Sequence, residues 1–263
     1  MPKINADGCA IHVEVEGPER APVLMLSNSL GTNLHMWDGQ VAPFTQHFRL
    51  VRYDRRGHGQ SDAPKGPYSM ERLGRDALAI LDALKIERIN WCGLSMGGMV
   101  GMWLGANAGS RINKLVLSNT SSYMANAPWD ERIKTAREQG MAALVEGTLD
   151  RWFTKPFRER APQAVEPIRK MFVATSVDGY VGCVEAIRAM DHRPLLAKIT
   201  APTLVIAGRH DPGTTLQAGE YIAQHIPGAK IAVLGSAHFQ RRAAAGLCRH
   251  RAGFLVESIL MRR

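Results

Sequence analysis

Apolar positions along the chain follow two alternating rhythms. Short runs of five or six mostly apolar residues give way to longer stretches in which apolar side chains return every three or four positions. The short runs predict strands over residues 11–16, 23–27, 48–53, 89–93, 114–118, 203–207 and 230–234. Several are apolar throughout, as strands covered on both faces should be. The longer rhythm is clearest over residues 70–84, where Leu73, Ala77, Ile80, Leu81 and Leu84 share one helical side and Ser69 stands where an N-cap would accept a backbone N–H. Strand alternating with helix predicts βαβ units that feed a mostly parallel sheet. Between about residues 121 and 197 the strand signal stops, and large residues such as Trp129, Met141, Trp152, Phe153 and Phe172 mark helix-like sequence. The expected organisation is one α/β core, residues 1–120 with 198–263, carrying a helical cap inserted as residues 121–197. There are no internal repeats and no low-complexity tracts.

Composition changes this picture little, and charge changes it only locally. With 263 residues, 45% hydrophobic and 22% charged, the chain reads as a globular protein able to bury a large interior. The net charge of +9 suggests nucleic acid at first sight. Six arginines and one glutamate lie between residue 239 and the end, however, so five of those nine charges sit in the last 25 residues. No nucleic-acid-binding motif accompanies them, and a nucleic-acid partner is not expected. Cys9, Cys92, Cys183 and Cys248 have neither metal-finger nor CxxC spacing and read as free thiols. No run reaches the ~18 apolar residues of a membrane span, and the N-terminus lacks a signal-peptide core. No membrane partner is expected, the cytoplasm is the expected compartment, and monomer and homo-oligomer are both compatible with the sequence.

The first chemical feature is Gly93-Leu94-Ser95-Met96-Gly97, placed between the strand 89–93 and a helix-like stretch over 98–108. In a nucleophile elbow the chain turns so sharply that the residues two before and two after the serine must be small. Both are glycine here. The turn lifts the hydroxyl off the sheet and sets it beside a helix N-terminus that favours developing negative charge. A serine needs a base, and the base needs a group to orient it. Asp211 follows the strand 203–207 and His238 follows 230–234, in the order Ser, acid, His expected of an α/β-hydrolase fold. The expected triad is therefore Ser95, Asp211 and His238, with His210 a bystander. An oxyanion hole needs two backbone N–H donors. Met96 supplies one, and the loop Ser27-Asn28-Ser29-Leu30-Gly31 the other, with Ser29 preferred and Leu30 in reserve.

At this level of detail the chain resembles the 3-oxoadipate enol-lactonases. The resemblance rests on Ser27-Asn28-Ser29-Leu30-Gly31-Thr32, Met36-Trp37, Arg56-Gly57-His58-Gly59 and Cys92-Gly93-Leu94-Ser95-Met96-Gly97-Gly98 in the core. In the cap it rests on Trp129 with Arg132, Arg151-Trp152-Phe153, Gly179-Tyr180 and Cys183-Val184-Glu185-Ala186-Ile187. It implies a small lactone substrate opened by ester hydrolysis with neither cofactor nor metal. Such a substrate also carries a carboxylate, for which Arg132 is the expected partner, with Trp129 and Trp152 as apolar walls. Trp37, Arg56 and His58 are expected to shape loops near the site. After His238 the chain departs from the family, reading Phe239-Gln240-Arg241-Arg242-Ala243-Ala244-Ala245. Other readings compatible with Ser95 are a carboxylesterase, a cofactor-free haloperoxidase-like protein, a carbon–carbon bond hydrolase, or a catalytically impaired binding protein of the same fold.

Overall fold

The computed structural model describes residues 3–235. A hairpin of two short strands, β1 (Ile4–Ala6) and β2 (Cys9–Ile11), opens the chain. The main sheet holds β3 (Val13–Glu16), β4 (Val23–Ser27), β5 (Arg49–Tyr53), β6 (Ile89–Leu94), β7 (Ile112–Ser118), β8 (Thr203–Gly208) and β9 (Lys230–Leu234). Their order is β3-β5-β4-β6-β7-β8-β9, with β3 antiparallel to β5 and every other pair parallel. The expected strands are present with small shifts. The run 11–16 breaks at His12, which separates β2 from β3, and β7 begins two residues before the expected 114. The β1–β2 hairpin was not expected, because each strand is only three residues long and carries too little pattern to read.

The uniformly apolar strands follow from side chains alternating across a covered sheet. In β4, Leu24 and Leu26 face one core while Met25 faces the other; Val116 is likewise opposed to Leu115 and Leu117, and Val205 to Leu204 and Ile206. The smaller core is closed by α1 (Asp38–Thr45) through Phe44. The larger is covered by α2 (Met70–Ala83), α3 (Met96–Asn107) and later α9 (Leu216–His225). Helix α2 starts as expected, with the Ser69 hydroxyl accepting from Arg72 N at 3.0 Å, and buries Leu73, Ala77, Ile80 and Leu81.

Between β7 and β8 lies the helical cap: α4 (Trp129–Gln139), α5 (Ala142–Trp152), α6 (Lys155–Arg160), α7 (Pro162–Val173) and α8 (Val177–Arg188). It packs through aromatic edges, Trp152 on Phe172 and Phe172 on Tyr180, each with ring centres 5.8 Å apart. At Gly57 and Gly179 it meets the core backbone on backbone. A Cβ on Gly57 would stand 2.3 Å from Gly179 Cα, and one on Gly179 would stand 2.1 Å from the Gly57 carbonyl oxygen. Two of the strings quoted above, Arg-Gly-His-Gly and Gly-Tyr, thus meet in space. Among the described residues no helix is long and apolar enough to cross a membrane.

Candidate active site

Parallel strands end on the same edge of the sheet, and loops leaving those ends are where open α/β sheets place ligands. Ser95 leaves the end of β6, Asn119 and Thr120 the end of β7, Asp211 the end of β8, and Ser29 and Leu30 the end of β4. Ser95 has φ 54° and ψ −115°, a conformation that disfavours any residue with a Cβ. The surroundings enforce it. Ser95 N donates to Ser118 O at 2.8 Å, while Ser95 O accepts from Gly98 N at 2.8 Å and from the Thr120 hydroxyl at 2.7 Å. The flanking glycines leave no room for a side chain: a Cβ on Gly93 would lie 2.1 Å from Gly97 O, and one on Gly97 would lie 2.2 Å from Ser27 O. Helix α3 begins at Met96, immediately after the serine and two residues before the expected 98.

Asp211 is buried, and among the described residues four donors hold its carboxylate. Oδ1 accepts from the backbone N–H groups of Gly213 and Thr214 at 2.9 Å, and Oδ2 from Asn119 Nδ2 at 2.8 Å and the Thr214 hydroxyl at 2.7 Å. His210 next to it is exposed. His238, expected as the base, lies outside the described residues, as do Cys248 and the arginine-rich tail. The other cysteines, Cys9, Cys92 and Cys183, are buried.

The two oxyanion candidates in the Ser27–Gly31 loop differ. Ser29 N–H points at the Met36 sulfur, 3.4 Å away. Leu30 N–H has no acceptor among the described residues, and neither does Met96 N–H at the first position of α3. The loop itself is bracketed by the segment after β5. The Asn28 side chain donates to Tyr53 O and accepts from Trp37 Nε1, both at 2.9 Å. Arg55 Nη2 donates to Asn28 O at 2.7 Å, and His58 Nε2 accepts from Gly31 N at 3.0 Å. Burial, aided by the Arg55 cation, pulls His58 down to about 3, so the ring is neutral and able to accept. Arg56 turns away to the buried Asp76, with Nε–Oδ2 2.5 Å. Trp37 and His58 therefore contact the Asn28 and Gly31 stretch directly, whereas Arg56 braces α2.

These loops and the cap line a cleft that contains Ser95, Ser29, Leu30 and Asp211 on the core side. The cap contributes Trp129, Arg132 and Trp152, the three substrate-binding candidates read from the sequence, and also Thr148, Arg151 and Tyr180, which were not assigned to the site. Arg132 lies 4.8 Å over the Trp129 ring. Asn119, Thr120 and Thr214 were missed as well. Their signal was faint: small polar residues at strand ends become significant only when the strands that carry them are adjacent.

A sequence model described as the α/β-hydrolase fold matches residues 22–240. The 3-oxoadipate enol-lactonase 2 of Acinetobacter baylyi is 39% identical over 236 residues, covering 89% of this chain and 88% of that protein. The crystal structure of the enol-lactonase from Burkholderia xenovorans superposes with a TM-score of 0.95 at 43% identity, covering 97% of this chain and 100% of that one. That of a hydrolase from Pseudomonas aeruginosa does so with 0.93 at 42%, covering 97% of each chain. Identity of this extent, together with the shared fold, makes the chain an enzyme of the α/β-hydrolase family, grouped with the 3-oxoadipate enol-lactonases.

Proposed function

We propose that the chain hydrolyses 3-oxoadipate enol-lactone, with Ser95 as nucleophile, His238 as base and Asp211 as the group that orients it. The observation that carries this reading is the setting of Ser95, held in a strained turn in a mostly apolar cleft, with the backbone N–H groups of Leu30 and Met96 lacking acceptors among the described residues. Relatives that bear the enol-lactonase name supply the substrate.

In this mechanism His238 removes the Ser95 proton as the hydroxyl attacks the lactone carbonyl. The oxyanion forms beside Met96 N–H and Leu30 N–H. Leu30 is the better second donor, because Ser29 N–H is directed at the Met36 thioether. Collapse of the tetrahedral intermediate breaks the ring ester and expels an enol, which tautomerises to the ketone. Water activated by His238 then frees the acid from Ser95. Arg132 faces the substrate carboxylate, and Trp129 and Trp152 enclose the ring.

The test is loss of lactone absorbance at neutral pH with freshly generated substrate, comparing the enzyme with Ser95→Ala. Serine-dependent turnover is expected, and the alanine variant should lose at least about 10³-fold in kcat, as removal of a nucleophile does. Equal turnover by both proteins would discard the mechanism. Labelling of Ser95 by a fluorophosphonate without lactone turnover would keep a serine hydrolase and discard the substrate.

A further inference from the structure

Among the described residues, two buried arginines, Arg52 and Arg56, are neutralised by carboxylates. Arg52 meets Glu14, Glu16 and Asp38, and Arg56 meets Asp76. Arg132 and Arg151 are half-buried in the cleft that holds Ser95, and among the described residues neither is paired with a carboxylate. Asp150, the acid adjoining Arg151 in the chain, is taken by Arg158. Arg151 donates instead to the Thr148 hydroxyl at 3.1 Å.

The two cations sense one another. Burial first, and the Arg132 charge second, hold the Arg151 guanidinium below its ordinary range. Both also act on Tyr180, whose hydroxyl burial pushes up and whose rise the two arginines oppose. A pair of like charges facing a partly dehydrated cleft is unfavourable until an anion completes it. Met99, Met124, Trp152, Phe172 and Ile187 supply apolar lining in the same cleft. A ligand that satisfies every wall has an anion at one end, a short aliphatic body, and an acyl carbon at the Ser95 end.

We propose that Arg151 joins Arg132 in a carboxylate clamp, and that the clamp gives the enzyme a second activity on acyclic half-esters of short dicarboxylic acids. The free carboxylate sits between the two guanidiniums and the ester carbonyl meets Ser95. The step balances as an ordinary acyl transfer. The bond from Ser95 Oγ to the acyl carbon forms, and the bond to the alcohol oxygen breaks. The alcohol departs with the proton lifted from Ser95. Water then cleaves the acyl-serine to give the dicarboxylate, with one proton released to solvent. The proposal rests on the serine-hydrolase reading above and adds Arg151 as a determinant of substrate choice.

The test compares monoethyl adipate with diethyl adipate, following proton release at constant neutral pH. The expected ratio of kcat/KM favours the half-ester by roughly ten- to a hundredfold, the worth of one or two charge-assisted hydrogen bonds. Arg151→Gln should bring that ratio towards one, mainly through KM, and Arg151→Lys should restore part of it. Both esters are measured on the same preparation, so any loss of folded protein cancels. A wild-type ratio of one or less overturns the clamp, as does a ratio that Arg151→Gln leaves unmoved. Fluorophosphonate labelling separates the two levels of failure. Labelled enzyme that hydrolyses neither ester overturns the clamp alone, whereas enzyme that neither labels nor hydrolyses overturns the serine-hydrolase reading with it.

Discussion

A methyl group on Gly97 would share space with the Ser27 carbonyl oxygen, and the two elements that collide are the strand leading into the Ser27–Gly31 loop and the helix carrying Met96. Gly97→Ala should therefore push these two apart and reduce ester turnover by at least about 10²-fold, the scale of losing one oxyanion donor. Turnover within a few-fold of wild type would show that the elbow has slack. Asn119 acts more gently: it provides one of the four donors to Asp211 among the described residues. Asn119→Ala should lower kcat by about tenfold with KM little changed, since it loosens an orienting group without touching the cleft wall. A change confined to KM would assign Asn119 to binding. At this scale the sequence was legible where chemistry demands a residue type in a fixed local pattern, as with Ser95 between its glycines. It was silent on Asn119 and Thr214, because the first bonds Asp211 across 92 residues of chain and no local pattern records such a partner.

Among the elements, the stretch after β5 is most informative, since it holds both the Ser27–Gly31 loop and the cap. His58 accepts from Gly31 N on one side, while Gly57 lies against Gly179 at the start of α8 on the other. His58→Leu leaves Gly31 N–H buried without its acceptor, a loss worth ~1–3 kcal/mol. The expected outcome is a lower melting temperature together with a fall in kcat, and His58→Gln, which can still accept, should recover part of both. If the two variants behave alike, the hydrogen bond is not what His58 supplies. The sequence made these loops visible as motifs, but not the reason for them. A glycine in a helical segment reads as a weak helix former until another backbone is found against it. Arg151 was passed over for a related reason: on helix periodicity alone it is a polar position on α5, and only the way α4 and α5 dock turns it towards Arg132.

For the whole molecule, acid is the revealing variable. Burial holds His58 at about 3 and, despite Asp191 and the Met99 backbone, holds His192 at about 4. An unfolded chain would protonate both near pH 6.5. Between that pH and the folded values the unfolded state binds more protons, so stability is complete above about pH 6.5 and is lost as pH falls towards 4 and 3. Each histidine contributes a slope of at most ~1.4 kcal/mol per pH unit in that window. Melting temperature should fall from pH 7 to pH 5, and His192→Gln should flatten the profile. A variant profile parallel to that of the wild type would remove His192 from the account. Two cores on either side of one sheet could be foreseen from the uniformly apolar strands, whereas histidines buried without charge could not, because burial of a polar residue is decided by the assembled fold.

The backbone at Ser95 has one more implication. A side chain held at φ 54° opposes folding by ~1–3 kcal/mol, and glycine carries no such penalty. Ser95→Gly should be inactive, yet it should melt above Ser95→Ala by about 2–4 °C for each kcal/mol relieved in a chain of this size. Under selection for durability alone, position 95 would drift to glycine. A serine there is the mark of a lineage in which turnover has outweighed persistence, and the melting difference between the two inactive variants measures by how much.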